Sequence, residues 1–180
     1  TDKRALLKLA RGTIEYFLTN KRLPGVSEMG IELTKAMTEP RAAFVTLKKR
    51  GMLRGCIGDI FPRQPLYKSV LINAINAAVR DSRFKPVEKS ELNEITIEIS
   101  ALTAPKPVES YEQIRIGIDG IILRKGGNSA VYLPQVAPEQ GWNLSQTLTH
   151  LSQKAGLSPD AWRQGASFLV FEAEVFGEEQ

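Results

Sequence analysis

Hydrophobic residues at Leu6, Leu7, Ala10, Ile14 and Phe17 recur at three- and four-residue steps, which places them on one side of an N-terminal helix ending near Thr19 and Asn20. After a polar loop with Pro24 and Gly25 the period changes. Ala42 to Lys48 reads as a strand, Lys49 to Gly51 as a tight turn, and Met52 to Ile60 as the return strand of a hairpin that Pro62 and Pro65 end. Leu66 to Arg80 puts Val70, Ala74, Ala77 and Ala78 on one face, a helix whose small residues admit a close neighbour, and Asp81 to Val87 breaks it. The most regular alternation follows: Ile95, Ile97 and Ile99 point one way, Thr96, Glu98 and Ser100 the other. Beyond a proline-rich link, Ile114 to Pro134 predicts three short strands separated by turn signals at Asp119-Gly120 and Gly126-Gly127-Asn128. Leu144, Leu148, Leu151 and Ala155 mark another helix, stopped by Gly156. Pro159 to Trp162 reads as one helical turn and Ser167 to Phe176 as a final strand. The pattern is α+β, mostly antiparallel strands with flanking helices, expected as one unit over residues 1–180 with room for two lobes.

At 180 residues the chain is long enough for its own core. Its 24 basic and 20 acidic residues leave a net charge of +4, and the basic ones are scattered except for Lys48, Lys49, Arg50 and Arg54 around one turn. Aromatic residues make up only 7% of the chain, and a cationic turn without stacking partners argues against nucleic acid; RNA binding through Lys48, Lys49 and Arg50 is the remaining form of that idea. No apolar run reaches the ~18 residues of a membrane span. The N-terminus alternates charge and hydrophobe where a signal peptide would have an apolar core, so a cytoplasmic location is expected. Because it begins at Thr1, the chain reads as a processed product, a trimmed piece or one module of a longer polypeptide. One cysteine excludes an internal disulfide. One cysteine and one histidine cannot supply the four N/S ligands of a structural zinc site, and no acidic constellation announces another metal.

The single cysteine lies in MLRGCIGDI, Met52 to Ile60. On a regular strand Arg54, Cys56 and Gly58 share a face, which sets a guanidinium near the sulfur and favours thiolate. Gly55 and Gly58 would leave the sulfur accessible along bare main chain, and a glycine within a strand marks a bulge or the close approach of a ligand or another backbone. Free cysteine is also commonly a small buried hydrophobe, so packing is the competing reading. His150 falls about 100° round its helix from the leucine stripe and reads as a solvated residue, so no cysteine–histidine dyad follows from spacing. Glu98, mid-strand, either faces water or meets a cation such as Arg54 or Arg83; Asp81 and Arg83 bracket Ser82 at a helix end, where a capping network is the plain expectation. Glu139, Gln140 and Gly141 before Trp142 form a polar triplet beside an indole in a proline-bounded loop, suited to a ligand or partner.

Four stretches in this order, LRGCIG (Leu53 to Gly58), DSRF (Asp81 to Phe84), the strand with Glu98, and YLPQVAPEQGW (Tyr132 to Trp142), resemble the AMMECR domain family, called AmmeMemoRadiSam system protein A in bacteria and archaea. The resemblance covers nearly the whole chain. It implies a two-lobed α+β fold with a cleft near the cysteine motif, and association with a Memo-like protein and a radical SAM enzyme. It names no cofactor and no settled reaction. Relatives often carry Thr, Ser or His where this chain has Asp59. The expectation drawn from residues and resemblance together is an enzyme or enzyme component. In it Cys56 is nucleophile or thiol carrier and Arg54 steadies the thiolate or an anionic group. Glu98 or Asp81 handles protons or orients Arg83, Gly55 and Gly58 give backbone access, and Glu139 with Gln140 closes the cleft. The alternative is a non-catalytic adaptor that docks onto the Memo-like or radical SAM partner.

Overall fold

Two residues, Arg50 and Gly51, join strands β1 (Ala43–Lys49) and β2 (Met52–Gly58), and both have left-handed φ, 53° and 80°. Two consecutive positive-φ residues make the mirror-image turn whose twist matches paired strands. Arg50 occupies the first of these positions without a glycine's freedom, and its guanidinium is held on the Glu94 carboxylate. In this computed structural model, residues 1–179 are described and divide into two compact units: Thr1–Leu102 with the residues from Glu174 onward, and Thr103–Ala173.

In the first unit, α1 (Asp2–Asn20), α2 (Lys35–Thr38) and α3 (Leu66–Val79) accompany β1, β2 and β3 (Ile95–Leu102). Leu6, Leu9, Ala10 and Ile14 of α1 and Val70, Ala74, Ala77 and Ala78 of α3 are buried with Val45, Leu47, Ile97 and Ile99 of the sheet. Each large aliphatic side chain withdrawn from water this way contributes about 1.5–3 kcal/mol before its ordering cost. With Val45, Leu47 and the isoleucines turned to the helices, strict alternation sends Thr46, Lys48, Thr96 and Glu98 to the opposite face.

The second unit carries β4 (Lys106–Val108), β5 (Gly120–Lys125), β6 (Asn128–Tyr132) and β7 (Ser167–Phe171) in an antiparallel sheet of order β4-β7-β5-β6. The helices α4 (Val136–Gln140) and α5 (Leu144–Lys154) follow β6. Asn143 and Gln146 cap α5 reciprocally, each side chain bonding the other's N–H. Ile121, Leu123, Leu148, Leu151, Trp162 and Phe168 form this unit's own core.

Three expectations are corrected. Residues 114–118 are no strand: Asp119 accepts the Arg115 N–H at 2.8 Å and its guanidinium at 2.9 Å, which closes a turn. The proline-rich link contains β4, paired with β7. The final segment is two strands, since β8 (Ala173–Gly177) joins the first sheet, whose order is β2-β1-β3-β8. Glu178 then fastens the chain to α1, accepting Arg11 Nε at 2.6 Å and Nη2 at 2.8 Å. Among the described residues no helix is long and apolar enough to cross a membrane.

Candidate functional site

Pairing between β1 and β2 runs Phe44 with Gly58, Thr46 with Cys56 and Leu47 with Gly55, and then slips so that Lys48 faces Leu53. Arg54 is the extra residue of a bulge, and a bulge breaks the alternation on which a shared face with Cys56 depended. The expected cover of the sulfur by Arg54 is thus corrected. Its guanidinium instead grips Glu91, Nε to Oε1 at 3.0 Å and Nη2 to Oε2 at 3.1 Å, and donates to the Lys85 carbonyl at 2.8 Å. The Arg54 hydrogen bonds foremost, helped by the Glu88 N–H and by Lys49, hold the Glu91 carboxyl at about 2. A carboxyl depressed on folding stabilises the fold above its unfolded pKa of ~4.3 and loses that contribution as pH falls through its folded value. Urea unfolding should therefore show a smaller loss between mildly acidic solution and about pH 2 in Glu91→Gln than in the parent chain. An equal loss in both would remove the pair from the acid response.

Every cation of the basic turn has a carboxylate: Lys48 on Glu98 at 3.5 Å, Lys49 on Glu91 at 3.1 Å, Arg50 on Glu94, and Arg54 on Glu91. The positive charge of the turn is therefore partly offset by three carboxylates, Glu91, Glu94 and Glu98.

Cys56 sits on the edge strand with its main chain turned outward. Its N–H donates to Asp81 Oδ2 at 3.0 Å, and its carbonyl accepts from Arg83 Nη2 at 3.4 Å. Asp81 in turn accepts Arg83's N–H and Nε on Oδ1 at 3.1 and 3.0 Å, and its Nη2 on Oδ2 at 2.7 Å. The DSRF segment is therefore a brace that satisfies edge-strand groups which would otherwise be open to another strand. Because these groups point away from β1, Cys56 and Thr46 are a non-hydrogen-bonded pair, the kind whose side chains approach most closely. The sulfur lies 3.1 Å from Thr46 Oγ1. Thr46 also pairs with Glu98 on β3, so Cys56, Thr46 and Glu98 form one row across three strands on the face away from α1 and α3. Of the two readings for Glu98, water or a cation, the structure gives a cation, and it is Lys48 at 3.5 Å in place of Arg54 or Arg83.

Burial, foremost, pushes the Cys56 thiol above its ordinary range; the Thr46 hydroxyl and the Arg83 charge pull it down, while Asp81 and Glu98 push it up. The result is a protonated thiol at neutral pH. Asp81, by contrast, is held far below the usual carboxylate range, first by its Arg83 hydrogen bonds and then by the two backbone N–H groups.

The two glycines are spoken for. A Cβ on Gly55 would stand 2.1 Å from the Ala77 carbonyl oxygen of α3, and one on Gly58 would stand 2.2 Å from the Phe44 ring and 2.6 Å from the Phe44 Cα. Their small size admits a helix and a ring, where the sequence suggested open access to sulfur. Asp59 accepts from the buried Asn73 amide at 3.0 Å, and beyond it Gly58, Phe61, Arg63 and Gln64 help to line a depression of about 470 Å³. Glu139 and Gln140 are exposed on α4 of the second unit. There Trp142 stacks on His150, centroids 3.8 Å apart and planes 8° from parallel, so His150 is not the solvated residue expected. Among the described residues no group of His, Cys, Asp and Glu could hold a metal ion. Thr46, Glu91 and Asn73 were not singled out from sequence. Only the strand assignment of Thr46 gave a signal, because the partner across a pair depends on register.

The AMMECR1 family profile matches residues 7–176. Protein Mbar_A1807 of Methanosarcina barkeri is 44% identical over 99% of this chain and 91% of its own length. Protein MK0488 of Methanopyrus kandleri is 43% identical over 97% and 87%. The crystal structure of the uncharacterized protein PH0010 from Pyrococcus horikoshii superposes with a TM-score of 0.85 at 36% identity, covering 97% of this chain and 90% of that one. A profile spanning both units, and relatives aligned nearly end to end, place this chain in the AMMECR1 family.

Proposed function

We propose that the chain is a non-catalytic component of the AmmeMemoRadiSam system in the cytoplasm, docking a Memo-like protein or a radical SAM enzyme, with the Cys56 strand as a braced structural edge. What carries this reading is where the motif charges are spent. Arg54 is committed to Glu91, Asp81 to the Cys56 N–H and Arg83, and the Cys56 thiol is pushed toward its neutral form. A nucleophilic cysteine requires the reverse, a cation or base that lowers its pKa. The exposed features at the same edge are apolar: Met52 and Leu53 are 74% and 43% exposed at the start of β2, beside the paired turn charges. Glu139 and Gln140 are a separate candidate contact in the second unit.

A catalytic reading, with Cys56 as nucleophile or thiol carrier, draws support from one observation. The sulfur is half-exposed with a hydroxyl at 3.1 Å and Arg83 on its own carbonyl, and Glu98 is next in the row as a proton acceptor. Alkylation rates against pH separate the two. The adaptor reading expects a midpoint above the ordinary ~8.5, and co-purification with either partner that survives Cys56→Ser and is lost in Met52→Asp/Leu53→Asp. A midpoint below neutrality, with system output abolished by Cys56→Ser while complexes persist, would overturn it.

A further inference from the structure

Three of the four sheet edges are blunted. Asp81 and Arg83 hold the outward main chain of β2 at Cys56, and the Lys154 ammonium donates to the Val131 carbonyl of β6 at 2.7 Å. β4 is three residues long and contains Pro107, which has no N–H to offer. β8 is different. The Glu178 N–H donates to the Ile97 carbonyl at 2.9 Å and the Thr103 N–H to the Glu172 carbonyl at 2.8 Å, one antiparallel register in which even-numbered residues turn their main chain to β3. Gly177 accordingly faces Glu98 as a non-hydrogen-bonded neighbour: a Cβ on it would stand 3.8 Å from Glu98 Cα. The N–H and carbonyl groups of Val175 and Gly177 therefore point away from the sheet, and no group among the described residues bonds them. Val175 is 50% exposed, and Gly177 is exposed as well.

Between this strand and α1 lies a depression of about 820 Å³, lined by Leu7 and Phe176 together with Lys3, Arg4, Lys8 and Arg11. Glu174 takes Lys3 at 3.3 Å and Glu178 takes Arg11. Neither Arg4 nor Lys8 forms an ion pair among the described residues, and against these two stands Glu179 alone among the lining carboxylates. We propose that the outer edge of β8 is a docking site for an extended acidic segment of a partner protein, which adds to the first sheet as another strand through the main chain of Val175 and Gly177. A residue opposite Phe176 turns its side chain to the α1 side, as Phe176 does, where an Asp or Glu meets Arg4 and Lys8. Residues opposite Val175 and Gly177 turn to the other face, where a β-branched side chain pairs with Val175. A second copy of the chain fits worse, because β8 against β8 brings the unpaired Arg4 and Lys8 of both chains to one seam. The edge is at the opposite end of the sheet from Met52 and Leu53, so this site stands apart from the docking role given to them.

The probe is a short end-capped peptide alternating valine and glutamate. Titrated into the full chain and followed by amide NMR, it should shift the Val175 and Gly177 N–H signals saturably and slow their exchange with solvent. The same peptide with lysine for glutamate should bind roughly tenfold more weakly or worse. A version N-methylated at its valines, the residues whose N–H groups would meet β8, should not bind. Arg4→Glu/Lys8→Glu, at two exposed positions of α1, should reverse the preference between the glutamate and lysine peptides. Val175→Pro removes an N–H that takes no part in the sheet and should abolish strand addition. Equal binding of the two charged peptides, undiminished binding of the N-methylated one, or Val175 and Gly177 signals that stay unmoved would overturn the proposal. So would self-association of the chain, seen as a mass that rises with concentration and is restored to that of one chain by Val175→Pro.

Discussion

Gly55→Ala should lower stability by about 3 kcal/mol, a large fraction of what holds a domain of this size together. The added methyl would stand 2.1 Å from the Ala77 carbonyl oxygen, a backbone atom that cannot rotate away. β2 is an edge strand and could in principle move out. It is pinned on both sides of Gly55, at Arg54 by Glu91 and at Cys56 by Asp81. Moving it costs those charge-assisted bonds as well as the pairing with β1. Thermal unfolding should report roughly a 6–12 °C fall, and Gly127→Ala, where a Cβ meets nothing within 4 Å, should stay within ~0.5 kcal/mol of the parent. Parity between the two variants would show that α3 does not rest on the strand as closely as this.

The same strand marks the boundary of what the sequence discloses. β3 was legible because its isoleucines alternate without interruption, and the β1–β2 hairpin because strand residues flank a short turn ending in glycine. The bulge at Arg54 left one local mark, the adjacent Gly55, but a glycine within a strand signals a bulge or a close approach alike, and one residue more on β2 matters only relative to β1. Once it was missed, parity assigned Arg54 to the sulfur. Its partner Glu91 belongs to a 3₁₀ segment far along the chain, a contact that no spacing rule reaches. The glycines were legible as sites of close approach, but the occupant was not: a helix carbonyl and a phenyl ring stand where a ligand was expected. Asp81 and Arg83 read as a capping network at the end of α3, whereas their side chains bond each other and the Cys56 peptide of β2. His150 was placed correctly off the leucine stripe, and its stacking partner lies eight residues back in the loop that α5 caps, outside any helical period.

Asp81→Ala should cost about 2–3 kcal/mol and Arg83→Ala clearly less, although the two side chains share the same bonds. The Asp81 side chain is 4% exposed and the Arg83 side chain 55%. Truncating the arginine leaves a buried carboxylate that still takes two backbone N–H groups, whereas truncating the aspartate strands the Cys56 N–H and gives up the anchor itself. Freed Arg83 regains most of its hydration, so little is charged to it. Asp81 is depressed on folding. Its contribution is thus complete above the unfolded value of ~3.9 and fades as pH drops toward the much lower folded one, so Asp81→Asn should flatten the stability profile below about pH 4. The thiol gives the second readout, with opposite signs for the two partners. Losing Asp81 removes a carboxylate that holds the Cys56 pKa up and leaves Arg83 uncompensated, so alkylation at fixed neutral pH should quicken. Losing Arg83 removes a charge that pulls the thiol down and leaves Asp81 alone, so alkylation should slow. If both substitutions moved the rate in one direction, the brace would be acting through local unfolding, and the electrostatic account of the cysteine would have to be abandoned.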